Sequence, residues 1–151
     1  MQNYQYETTP YDHQRVALED SWSAEYYALF MEMGTGKTKV AIDTMAILYE
    51  AEKLKAVLII APKGVYDNWV KGEIPIHLPK RIPRQICRWI PSKTKKFEEE
   101  LMDFIVKKDP ILKIFVMNVE AFSTSRGTDA ATAFLYQNPA NMVVVDESTT
   151  I

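Results

Sequence analysis

Gly34-Thr35-Gly36-Lys37-Thr38 stands between two segments of different hydrophobic period. Before it, Tyr26 to Met31 is a short apolar stretch rich in aromatic residues, which reads as a core strand. After it, Lys37 to Glu52 carries apolar residues at Val40, Ala41, Met45, Leu48 and Tyr49, which is helix spacing. A glycine-rich turn from a buried strand into a helix restricts the chain to few folds. Glycines let successive backbone N–H groups come close to an anion, and the positive end of the following helix adds to the attraction. This is the context of a phosphate-binding loop. In such a loop Lys37 reaches the β- and γ-phosphates of a nucleotide, and the Thr38 hydroxyl ligates magnesium. A glycine turn that only caps a helix is the plainer alternative, and Met31 stands where the general pattern has its first glycine.

The rest of the chain repeats the alternation. Ala56 to Ala61 is a continuous apolar run stopped by Pro62, a buried strand. Val65 to Lys71 is expected to form a short helix. Pro75, Pro79, Pro83 and Pro91 punctuate the next stretch, and within it Arg84 to Ile90 alternates basic and apolar residues as a strand does. Ser92 can cap a helix running to about Lys108, with Phe97, Leu101, Phe104 and Ile105 on one face. Ile111 to Met117 reads as a strand, Asp129 to Tyr136 as a short helix and Met142 to Val145 as the last strand. Near the start, Thr9-Pro10-Tyr11-Asp12 has the capping residues of a helix reaching about Asp20. Strands alternating with helices predict an α/β domain, its sheet parallel and covered on both faces.

The last strand ends on Asp146-Glu147, at the edge where α/β sheets bind ligands. Downstream of a phosphate loop, Asp146 can hold magnesium through water and Glu147 can take a proton from an attacking water. Without that loop, an acidic pair after a strand would be an ordinary loop start.

Charge is segregated. Residues 1–52 carry nine acids and three bases, 53–97 two acids and eleven bases, and 98–151 nine acids and four bases, which sums to the net −2. The central block of +9 creates a local field that the net charge hides. Lys80, Arg81, Arg84, Arg88, Lys93, Lys95 and Lys96 have no acid among them, and Trp89 lies inside the run. This reads either as a nucleic-acid face or as a solvated surface balanced by Glu98, Glu99 and Glu100. Arg126, beside Gly127, sits in a polar segment read as a loop. With His13, His77 and Cys87 alone there is no zinc-type cluster. A single cysteine allows no internal disulfide, which favours an intracellular protein. The polar N-terminus lacks a signal-peptide core, and no apolar run is long enough to span a bilayer.

Met31-Glu32-Met33-Gly34-Thr35-Gly36-Lys37-Thr38 resembles the first motif (Walker A) of Swi/Snf-type and related phage helicases of superfamily 2, a group in which the first glycine is commonly absent. Tyr11-Asp12-His13-Gln14 resembles their upstream glutamine motif, which implies that Gln14 reads the adenine edge. Leu58-Ile59-Ile60-Ala61-Pro62-Lys63, followed by Asn68-Trp69, resembles motif Ia, implying a DNA-backbone contact by Lys63. Asn118-Val119-Glu120 resembles the segment preceding motif II, and Asp146-Glu147-Ser148-Thr149 resembles motif II (Walker B) in its phage-like form. Residues 72–110 match least.

The resemblance implies a single RecA-like ATP-binding lobe over residues 1–151, possessing neither motif III nor the second lobe with its transition-state arginines. That second lobe would come in cis or from another chain. The expected ligands are ATP and Mg2+, with Met33 to Thr38 around the phosphates. The expected partner is single- or double-stranded DNA, with RNA also open and no membrane. Lys63, Arg84, Arg88 and Arg126 are the candidate nucleic-acid contacts. The expected setting is the cytoplasm of a bacterial or phage-infected cell, and the expected turnover of the chain alone is weak. Two rival readings stand beside this one: a non-catalytic nucleotide- or partner-binding module, and a P-loop kinase or switch GTPase, against which the glutamine motif and the Asp-Glu pair count.

Overall fold

The computed structural model describes residues 27–31, 37–92 and 94–146. The expected first helix, Gln14 and His13 lie outside them. Five strands form one parallel sheet: β1 (Tyr27–Met31), β2 (Ala56–Ala61), β3 (Arg84–Arg88), β4 (Leu112–Asn118) and β5 (Asn141–Asp146), in the order β1-β5-β2-β4-β3. The helices are α1 (Lys37–Glu50), α2 (Tyr66–Asn68), α3 (Ile74–His77), α4 (Lys95–Val106) and α5 (Ser125–Gln137). This is the expected α/β architecture of a RecA-like domain.

Alternation along the strands sorts the core into two layers, as a pleated sheet covered on both faces requires. Val57, Ile59, Ile114, Val116, Met142 and Val144 face α1 and the segment from α2 to α3. Ala56, Leu58, Phe115 and Met117 face α4 and α5. In the second layer Phe104, Phe115 and Phe134 pack as a trio, with Phe104 and Phe134 stacked at 5.6 Å. Lys113 reaches beside them, and its ammonium donates to the carbonyls of Phe104, Ile105 and Lys107. These are orphan acceptors at the end of α4, so a buried lysine takes the place of a helix cap.

Three expectations need correction. The helix after β2 does not stop near Lys71. It continues as a π-helical turn over Trp69–Glu73 and then as α3, with Pro75 at the start of α3, where a missing N–H costs least. Thr94, not Ser92, caps α4: its hydroxyl accepts from the Phe97 N–H, and Ser92 supports it from 3.0 Å. Arg126 lies in the first turn of α5 rather than in a loop, because Thr124 caps the helix by accepting from the Gly127 N–H.

Candidate nucleotide site and basic groove

The sheet register brings the expected motifs to one edge. Met31, the last residue of β1, pairs with Asp146, the last of β5. Ile60 pairs with Val145, and Ala61 with Asn118. The C-terminal ends of β1, β5, β2 and β4 therefore stand side by side, the edge at which parallel α/β sheets take ligands. Lys37 opens α1, and Thr38 is half-buried in its first turn. The glycine-rich loop, Met33 to Gly36, lies outside the described residues, as do the Lys37 side chain and Glu147.

Asp146 is buried, at 3% exposure. Its strand parity puts it on the α1 face with Met142 and Val144, and there the indole N–H of Trp69 donates to Oδ2 at 3.0 Å. The Asp146 carboxylate and the Thr38 hydroxyl, in the first turn of α1, are both hard oxygen donors. Such donors suit Mg2+ and not a thiophilic metal. The sequence leaves Trp69 open to a core reading or a loop-supporting one. It is a core residue at 1% exposure whose single polar atom is aimed at the Asp146 carboxylate. No local pattern marks this contact, since the two residues are 77 apart in sequence.

A second polar feature lies on α1. Lys39 and Asp43, one turn apart, form a buried ion pair. Burial pushes the Asp43 carboxyl up to about 6, against the hydrogen bond and charge of Lys39. His77 faces this region from α3. Burial lowers its basicity and the Lys39 charge adds to that, while Glu73, 3.3 Å away, opposes it.

The four candidate nucleic-acid contacts separate into two groups. Lys63 is exposed just beyond β2, and with Arg126, Trp89, Asn118 and Glu120 it lines a groove of about 500 Å³. The Arg126 guanidinium lies over the Trp89 ring at 5.5 Å and donates to the Ser92 carbonyl at 2.6 Å. Arg84 and Arg88 do not line this groove. Arg84 donates to the carbonyls of Leu78, Pro79 and Ile82, tying down the turn before β3. Arg88 is ion-paired with Asp67 on α2. Arg81 pairs with Glu50 through two hydrogen bonds, of 3.0 and 2.8 Å. Three bases of the central run, Arg81, Arg84 and Arg88, are thus engaged with other parts of the chain.

No group of acidic, histidine or cysteine side chains suited to a metal cluster occurs among the described residues. None of their helices is long and apolar enough to cross a membrane. The family model described as "Type III restriction enzyme, res subunit" matches residues 7–148. No curated protein matches the chain.

Proposed function

We infer the function of this chain from the premise that it belongs to the type III restriction enzyme res subunit family, a RecA-like family of helicase superfamily 2. At family level this is an ATP-dependent nucleic-acid helicase or translocase lobe. Our finer reading is that ATP·Mg2+ binds at Met33 to Thr38 and Asp146, that Gln14 reads adenine, and that DNA lies along the groove of Lys63 and Arg126. The observation that carries it is the pairing of Met31 with Asp146. That register sets the strand leading into the glycine-rich loop against the buried acid.

Each residue has a separable task. The N-terminus of α1 and Lys37 hold phosphate charge, and Thr38 and Asp146 supply oxygens suited to a magnesium ion. A magnesium ion held by these oxygens would supply positive charge beside the phosphates. Glu147 accepts the proton of the attacking water. A partner lobe, in cis or from another chain, would contribute the arginines of the transition state. The Swi/Snf-type likeness of the first motif supports DNA rather than RNA as the track.

Calorimetric titration with ATP and GTP, each with and without Mg2+, tests the site. Magnesium-dependent binding with ATP preferred is expected. Absence of ATP binding at millimolar nucleotide would overturn the reading.

A further inference from the structure

We propose that Trp69 is a positioning residue for the magnesium site: its indole N–H fixes one carboxylate oxygen of Asp146, and the π-helical turn Trp69–Glu73 is the device that delivers it. The proposal rests on the reading of Asp146 as the magnesium carboxylate.

An indole has one polar donor and no acceptor. Here that donor reaches Oδ2 of Asp146 at 3.0 Å, with both residues almost fully buried. Anchoring Oδ2 removes rotation of the carboxylate about its last bond, so Oδ1 keeps one direction. Hydrogen bonds that orient metal-ligating carboxylates commonly matter about 10–100-fold in metal affinity.

The backbone is shaped for this contact. Trp69 and Ile74 are 1% and 0% exposed, and both belong to the core layer under α1. They are five residues apart. In a regular α-helix that spacing would turn one about 140° away from the other. The π turn closes with the Ile74 N–H donating to the Trp69 carbonyl, a five-residue step that returns both side chains to the same face. Such turns are rare and recur at functional sites. Without this one, burying Ile74 would swing the indole away from Asp146.

Trp69→Phe keeps a ring and removes the N–H. Nucleotide binding should be followed while Mg2+ is titrated, and again in EDTA. The Mg2+ concentration for half-maximal strengthening of ATP binding is expected to rise about tenfold in the variant, with binding in EDTA unchanged. An unchanged Mg2+ midpoint overturns the proposal. So does an equal loss of affinity with and without Mg2+, which is the signature of a purely structural tryptophan. Should the variant fail to fold, the parent protein decides through its 15N indole resonances, Trp69 being identified by Trp22→Phe and Trp89→Phe. Its N–H signal is expected to move on adding ATP with Mg2+ and not on adding ATP in EDTA; a signal indifferent to Mg2+ overturns the proposal. A parent whose ATP binding gains nothing from Mg2+ overturns the magnesium reading itself and the proposal with it. That failure is recognised because it needs no variant.

Discussion

Lys39 and Asp43 face each other one turn apart on α1, and their ion pair is sealed between this helix and the segment carrying Glu73 and His77. Asp43 has no exposed surface, and its second oxygen, Oδ1, has no hydrogen-bond partner among the described residues. Removing either partner of a buried pair leaves an uncompensated charge, whereas the pair itself adds little net stability.

The pH dependence of stability derives from Asp43. Its pKa rises on folding from 3.8 to about 6, so between these values the folded protein binds more protons than the unfolded chain. Stability from this group is present below pH 4 and is lost as pH rises through 6, by up to about 3 kcal/mol. His77 acts in the opposite sense: burial lowers its folded pKa from 6.5, so its contribution grows as pH rises toward that value. Urea unfolding of the parent and of Asp43→Asn, compared from pH 4 to 7, isolates the Asp43 share. The parent's stability relative to the variant should fall with rising pH; a constant difference would refute the assignment.

Lys37→Ala should weaken ATP·Mg2+ binding roughly ten- to a hundredfold. The lysine's charged hydrogen bonds to phosphate are worth about 1.5–3 kcal/mol. Calorimetry reads this directly, and equal affinities would remove the phosphate-loop assignment.

Gln14→Ala should erase a preference for ATP over GTP and leave magnesium dependence intact. A bidentate amide–adenine contact discriminates by about 1–3 kcal/mol. If the parent itself binds both nucleotides equally, Gln14 has no such role.

Lys63→Ala should weaken DNA binding by a similar factor for all sequences and lower the slope of log affinity against log salt by about one. Lys63 is exposed on the rim of the groove it shares with Arg126. Fluorescence anisotropy with labelled duplex and single-stranded DNA at several salt concentrations measures the slope. No change in slope would place the DNA track elsewhere.

Gly127→Ala should destabilise the fold by about 1–3 kcal/mol despite alanine's better helix propensity. A Cβ at this position would stand 2.1 Å from the Ala121 carbonyl oxygen. That oxygen is held by the Thr124 N–H at 3.1 Å and the Thr124 hydroxyl at 2.7 Å, so it cannot withdraw. Gly64→Ala is the control, since nothing lies within 4 Å of its added Cβ. Thermal melts of the two should move apart, with the Gly64 variant close to the parent.

Local chemistry by itself determined the order of the five described strands along the chain. Ala56 to Ala61 is a strand because an unbroken apolar run meets Pro62, and its limits are those expected. Met142 to Val145 lies inside β5, and the acid expected at its end is there, buried. Period and punctuation act over a few residues, so the sequence alone can display them. The tertiary structure decided whatever depends on partners distant in the chain. The basic character of Arg84 and Arg88 is plain in the sequence, yet only folding sets one against the carbonyls of Leu78, Pro79 and Ile82 and the other against Asp67. The π turn could not be anticipated either, because it arises from the need to bury Trp69 and Ile74 together beneath α1. The contact of Trp69 with Asp146 spans 77 residues and exists only once β5 has entered the sheet between β1 and β2. Periodicity can say that a tryptophan is buried, but which carboxylate its one donor meets is settled by sheet register.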